Sequence, residues 1–174
     1  HAVDLVCVVT PTVHHAPMTL AALDAGANVI CEKPFAMNAD EAYQMYEKAE
    51  SLERINVIGH ELRFNPNRRK IKCLIEDGYI GKVRHINVWN IMGGGAPNNR
   101  VANSWWSKED MGGGILGANG SHQLDLLRFW LGDIGALSGQ LSVIVRDCIG
   151  KDTGEPWTAT AEDQVNWMAE MKSG

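Results

Sequence analysis

The stretch that most constrains the fold is Asn28-Val29-Ile30-Cys31-Glu32-Lys33-Pro34, an apolar run that stops abruptly at a charged pair and a proline. Residues 28–31 read as a short buried strand. Pro34 has no N–H to give to a ladder, so the strand ends before it. Lys33 is thereby delivered to the C-terminal edge of a strand. In an open α/β sheet that edge is where ligands bind. A lysine there supplies a fixed positive charge or a proton. A surface ion pair at a strand end is the competing reading of the same residue.

Upstream, Val3 to Val9 is a second apolar run and ends in Thr10-Pro11. Residues 12–25 read as a helix, stopped by Gly26. The opening is therefore strand, helix, strand. Both strands are almost continuously apolar, which is the signature of a parallel sheet with crossover connections. A third unit follows. Asn38 is placed to cap a helix, with Glu41 three residues on completing a capping box. Ala42, Met45, Ala49 and Leu52 form its apolar stripe, and residues 55–59 form a further strand.

Composition excludes several classes. The chain has 174 residues, 45% hydrophobic and 21% charged, which is ordinary for a globular protein. Its net charge of −5 argues against a nucleic-acid surface. No run of about 18 apolar residues is present, so no membrane-spanning helix is expected. Cys7, Cys31, Cys73 and Cys148 lack C-x-x-C spacing. Cys7 and Cys31 sit in strand runs and read as buried, reduced thiols, which suggests a cytoplasmic location. The chain opens on His1 almost directly into a buried-type strand and ends in an alternating run. It therefore reads as a piece truncated at both ends.

After about Arg63 the pattern changes. Residues 66–77 read as a helix with Ile71, Leu74 and Ile75 on one side. Residues 82–92, 137–148 and 162–172 alternate apolar and polar residues, so each reads as a long strand of a largely antiparallel or mixed sheet with one covered face. Gly93-Gly94-Gly95 reads as a flexible loop tip. Residues 120–131 read as a largely buried helix on which His122 and Asp125 share a face. A histidine in the first turn of a helix sits beside its positive end, which lowers the imidazole pKa. A neutral imidazole can accept a proton near neutral pH. An isolated histidine of this kind is more often a core residue bonded to backbone.

Two patterns are set aside. Gly112-x-Gly114-x-x-Gly117 fits a phosphate-loop spacing but does not follow an apolar strand. Its glycines are expected instead to let the backbone pass close to a ligand. His14-His15 suggests metal, but adjacent side chains diverge on a helix and no acid or cysteine cluster supports them, so no metal is expected.

Four motifs in order carry a family resemblance: Thr10-Pro11 with His15; Cys31-Glu32-Lys33-Pro34; Arg63-Phe64-x-Pro66 with Gly78-Tyr79-Ile80-Gly81-Lys82-Val83; and Gly112-Gly113-Gly114 through Gly120-Ser121-His122-Gln123-Leu124-Asp125. The chain resembles the Gfo/Idh/MocA oxidoreductases over essentially its whole length. The resemblance implies an α/β fold. Residues 1–62 would be the second part of a Rossmann-type dinucleotide-binding domain. Residues 63–174 would be an α+β substrate-binding domain whose largely antiparallel sheet also serves as a homo-oligomer interface. The GxGxxG fingerprint would precede His1.

The resemblance further implies NAD or NADP as cofactor and hydride transfer on a sugar, polyol or related hydroxy compound. Lys33 and His122 would be the catalytic pair. Thr10, Pro11, His15, Glu32, Lys33 and Pro34 would line the nicotinamide-ribose side, with Pro34 after a cis peptide as in many relatives. Arg63, Asn119, His122 and Asp125 would face substrate, and Trp105 and Trp106 could wall the pocket. Alcohol oxidation needs a base for the hydroxyl proton and a positive charge for the developing alkoxide, which are the roles of His122 and Lys33. One position departs from the pattern. Many relatives have aspartate four residues before the histidine, and here that residue is Ala118. Either Asn119, Asp125 or substrate orients the imidazole, or the dehydrogenase step is weak. Two other readings therefore stay open: a catalytically silent cofactor- and sugar-binding regulator, and a redox-neutral NAD-dependent glycoside-cleaving enzyme.

Overall fold

In the computed structural model, residues 3–92 and 100–173 are described; the expected loop tip at Gly93-Gly94-Gly95 lies outside them. The first sheet is built from β1 (Leu5–Val8), β2 (Asn28–Cys31) and β3 (Asn56–Ile58), all parallel in the order β1-β2-β3. A 3-10 turn at Thr12–His14 leads into α1 (His15–Asp24), and α2 (Ala39–Ser51) joins β2 to β3. Asn38 caps α2 by accepting from Glu41 N–H at 2.9 Å. The capping box is shifted by one residue, because the Glu41 carboxylate accepts from Met37 N–H at 3.0 Å and not from Asn38.

The core of this unit is Val8, Ala16, Leu23, Val29, Cys31, Met45 and Ala49, where the helices meet one face of the sheet. The opposite face is open among the described residues. Leu5, Val9 and Ile30 are exposed, and so is Cys7, contrary to its expected burial. A continuous apolar strand reports an affinity for two covers, and here α1 and α2 supply one. Cys31 is buried as expected, and burial pushes its thiol up to about 11.

The second half opens with a 3-10 turn at Glu61–Phe64 and α3 (Pro66–Glu76), capped by Asn65. It continues through β4 (Arg100–Val101), short 3-10 turns at Trp105–Ser107 and Glu109–Met111, and a π turn at Leu116–Gly120 that runs directly into α4 (Ser121–Leu131). Four strands follow: β5 (Ile134–Ser142), β6 (Asp147–Gly150), β7 (Pro156–Thr158) and β8 (Gln164–Met171). β5 pairs antiparallel with β8; β6 pairs antiparallel with β7 and parallel with β4. α3 is fixed to α4 by Lys72 Nζ donating to Phe129 O at 2.7 Å and Trp130 Nε1–H donating to Arg68 O at 3.0 Å.

Two strand expectations are corrected. Residues 137–148 are not one strand. The Asp163 carboxylate accepts from the backbone N–H groups of Ile144 and Val145, at 2.7 and 2.8 Å, and this bends the chain out of β5 before it re-enters a different sheet as β6. Residues 82–92, expected as a strand, form no ladder among the described residues, although their alternation is strand-like. Alternation marks a face that could be covered; a strand also needs a neighbour for its N–H and C=O groups. Trp89 and Ile91 are strongly exposed there.

Candidate functional site

The C-terminal edges of β1, β2 and β3 deliver Thr10, Lys33 and the Gly59-His60-Glu61 turn to the same end of the sheet. His15 braces that edge. Its Nδ1 lies 2.8 Å from Pro34 O and its Nε2 lies 2.8 Å from Thr10 O, and the side chain is buried. It thus ties the exit of β1 to the exit of β2. With each ring nitrogen beside a backbone carbonyl, His15 braces Thr10 and Pro34. The Lys33–Pro34 peptide is cis. Lys33 N–H donates to the Glu32 carboxylate at 3.2 Å, which folds that acid back over the strand end.

α4 approaches this edge from the second half of the chain. Lys33 Nζ donates to Ala118 O at 2.9 Å, inside the π turn that precedes His122. The π turn is anchored from far along the chain. Ile115 N–H donates to Glu162 O at 3.0 Å, and Leu116 N–H donates to the Glu162 carboxylate at 2.9 Å. Gly114, at φ 111°, leaves room for that carboxylate: a Cβ there would stand 2.3 Å from its oxygens. Gly112, at φ 73°, lets the chain turn against Thr12, whose hydroxyl donates to Gly112 O at 3.1 Å. These glycines therefore allow close packing within the fold, and Gly112 and Gly114 also line the cleft described next, which accords with the expected close approach of backbone to a ligand.

A cleft of about 170 Å³ opens between the two halves, lined by Thr10, Glu32, Lys33, Pro34, Trp106 and Ala118 among others. Its ammonium, hydroxyl and carboxylate suit ribose and sugar hydroxyls, and the proline and indole faces suit a flat ring. The chemistry of this donor set fits a nicotinamide-ribose group. Among the described residues, no group of three His, Cys, Asp or Glu side chains is placed to bind a metal, and no helix is long and apolar enough to cross a membrane.

Behind the cleft, His122 is buried, and its Nδ1 has no hydrogen-bond partner among the described residues. Burial is the main cause that lowers its pKa below the ordinary imidazole value; Glu61, Glu32 and Asp125 oppose this, and Lys33 adds to it. The expected cause, a helix end, does not apply. The helical run begins a π turn earlier, and His122 lies inside it.

Asp125 does not contact His122 through a hydrogen bond. It forms a two-pronged ion pair with Arg63, whose Nε–H donates to Oδ2 at 3.0 Å, and its Oδ1 lies 3.5 Å from His60 Nδ1. Arg63 and Asp125, expected to face substrate, instead clamp the turn after β3 onto α4. Asn119 is at the periphery, with Nδ2 3.8 Å from Met92 Sδ.

Two residues not singled out by the sequence complete the cluster. The His60 and His122 rings pack at 5.5 Å between centroids and 56°. Glu61 Oε2 lies 3.9 Å from His122 Nε2, with its side chain largely exposed. His60 is also lowered in pKa, first by burial, with Asp125 opposing. A signal for both was present: they directly follow a parallel strand, as Lys33 does, and the same edge rule applies.

Comparison with known proteins agrees with this architecture. Residues 1–60 match the family model described as an oxidoreductase family with an NAD-binding Rossmann fold, and residues 68–174 match the GFO/IDH/MocA C-terminal domain. The chain is 30% identical over 142 residues to levoglucosan dehydrogenase of Pseudarthrobacter phenanthrenivorans, covering 82% of this chain and 36% of that protein. It is 29% identical over 176 residues to D-glucoside 3-dehydrogenase of Escherichia coli, covering 98% of this chain and 49% of the relative. A solved structure of levoglucosan dehydrogenase with NADH and L-sorbose superposes with a TM-score of 0.84 at 26% identity, over 99% of this chain and 46% of that one. The chain thus spans half or less of the length of these relatives. Two consecutive family models, a Rossmann-type sheet and a shared fold across both halves lead to one conclusion: the chain belongs to the Gfo/Idh/MocA oxidoreductase family.

Proposed function

We propose that the full-length protein is an NAD- or NADP-dependent dehydrogenase of a sugar, polyol or related hydroxy compound. One observation carries this reading: the Lys33 ammonium, which lines the cleft, is seated on the turn that leads into His122, so a positive charge and an imidazole whose burial favours its neutral form are joined through one turn. A nicotinamide cofactor would supply the hydride acceptor for the substrate carbon. His122 takes the hydroxyl proton, and Lys33 steadies the oxygen as negative charge develops. Thr10, Glu32 and Pro34 would hold the ribose side of the cofactor, and Trp105 and Trp106 would wall the substrate side. Relatives named for levoglucosan and D-glucosides support a carbohydrate substrate.

We also infer the wider organisation. Residues 1–62 form the second half of the dinucleotide-binding domain and residues 63–174 part of the substrate domain. The exposed apolar residues Leu137, Leu141 and Met168 on the β5/β8 sheet support assembly of like chains there. A cytoplasmic location accords with the free cysteines.

The test is reduction of NAD and NADP by the full-length protein across a panel of sugars and polyols, followed at 340 nm. Cofactor reduction with at least one of them is the expected result. Binding of cofactor and sugar without reduction would favour the regulator reading, which the alanine at position 118 supports. Product formation without net reduction would favour redox-neutral cleavage.

A further inference from the structure

A buried base has a second problem besides taking a proton: it must return that proton to solvent before the next turnover. His122 is 6% exposed, and its Nδ1 is sealed without a partner among the described residues. Nε2 is the nitrogen that meets a charged group, the Glu61 carboxylate at 3.9 Å, and that side chain is 65% exposed. The other charged groups around His122 are engaged elsewhere. Asp125 is held by Arg63 in the same cluster. Glu32 accepts from Lys33 N–H, and Lys33 Nζ is on Ala118 O. His60, packed against the His122 ring, is itself half-buried and faces Asp125. Position 118, where a carboxylate could have served the imidazole, carries a buried methyl group.

From this geometry we propose that Glu61 is the proton exit of the site: it accepts from His122 Nε2 and hands the proton to solvent, filling the role left vacant at Ala118. The step balances simply. The substrate O–H bond breaks and its proton bonds to Nε2, giving an imidazolium. The Nε2–H bond then breaks, the proton passes to a Glu61 carboxylate oxygen, and water removes it. The exposed glutamate chain closes the gap from 3.9 Å to hydrogen-bond distance by rotation about its own side-chain bonds. Its negative charge also stabilises the imidazolium while it lasts. The turn that carries it is fixed to α4 by the Arg63–Asp125 pair, so the carboxylate is held beside the ring from the C-terminal edge of β3.

The proposal rests on the dehydrogenase reading, and its test separates the two. In the full-length protein, Glu61→Gln removes the charge with little change of shape at an exposed position. By NMR, the His122 titration is expected to fall by about half a pH unit or more in that variant, because a favourable charge near the imidazolium is lost. Turnover in dilute buffer is expected to drop about ten-fold and to recover as imidazole or acetate buffer is raised, since a soluble carrier replaces the exit. Glu61→Asp, which keeps the charge, should retain most of both properties. An unmoved His122 titration in Glu61→Gln overturns the proposal, and so does a slowed variant that buffer does not rescue. If the wild-type protein reduces no nicotinamide cofactor on any sugar or polyol, the dehydrogenase reading falls and the exit role with it. The titration alone would then decide whether the two groups are coupled.

Discussion

Lys33 Nζ and the carbonyl oxygen of Ala118 are 2.9 Å apart, and this one bond joins the parallel sheet of the first half to the helix that carries His122. It positions a charge and orients a helix at once. Lys33→Met keeps the aliphatic stem and removes both effects. In the full-length protein kcat/KM is expected to fall about 10²- to 10³-fold, the cost typical of losing one preorganised donor to a developing oxyanion. Steady-state kinetics against cofactor and sugar separately decide it, and a wild-type rate would remove Lys33 from the chemistry.

His122→Ala should lower kcat about 10²- to 10⁴-fold while leaving cofactor affinity unchanged, because the imidazole lies behind the cleft and not along the ribose side. Fluorescence titration with the reduced cofactor measures the affinity and single-turnover rates measure the step. Equal losses in both would mean that the ring is a structural part of the cofactor site.

The same burial has a consequence for stability. His60 and His122 both titrate below their unfolded value of about 6.5, so between the lowered and the unfolded pKa the unfolded chain binds more protons than the folded one. Stability is therefore complete above about pH 6.5 and is lost as pH falls through the window beneath it. Urea midpoints at pH 7.5 and 5.5 should show this decline, and His60→Phe should reduce it. A variant with the wild-type pH dependence would show that His60 does not contribute.

Glu162 and Gly114 form a lock at the start of the π turn. Glu162→Ala removes a side-chain cap from Leu116 N–H and is expected to cost about 0.5–2 kcal/mol. Gly114→Ala places a methyl group against the same carboxylate and strains a positive φ, so it should cost more. The double variant should be less damaging than the sum, since the clash disappears with the carboxylate. Urea unfolding of all four proteins completes the cycle, and strict additivity would contradict the packing described.

Leu23 is fully buried where α1 meets β1 and β2. Leu23→Ala should cost about 2–5 kcal/mol, read as a drop in the urea midpoint. A smaller change would mean that the neighbouring core closes over the space.

Much of this was legible in advance, where a local rule and the tertiary demand agreed. The strand Asn28–Cys31, the cap at Asn38 and the helix from Pro66 follow from punctuation by proline, asparagine and glycine. The rest depended on partners remote in sequence. The break between Ser142 and Asp147 is made by Asp163, which no window around residue 144 contains. The ladder expected over residues 82–92 has no neighbour among the described residues. His15 was expected on the nicotinamide-ribose side by family resemblance; no local pattern foretold that its two ring nitrogens would lie 2.8 Å from the carbonyl oxygens of Pro34 and Thr10. Glu61 and His60 were missed because the rule that picked out Lys33 was applied to the second strand and not to the third.

The π turn at Leu116–Gly120 also makes the site sensitive to length as well as to identity. A wide turn holds one residue more than an ordinary one, and each residue of an α-helix turns the chain by about 100°. Deleting a single residue between 116 and 120 would let the segment relax into regular helix while every side chain named above remained in the sequence. His122 would then swing through about a quarter of a circle, away from Glu61, and Lys33 would find a different carbonyl. The placement of His122 thus depends on the number of residues in that turn as well as on which residues they are.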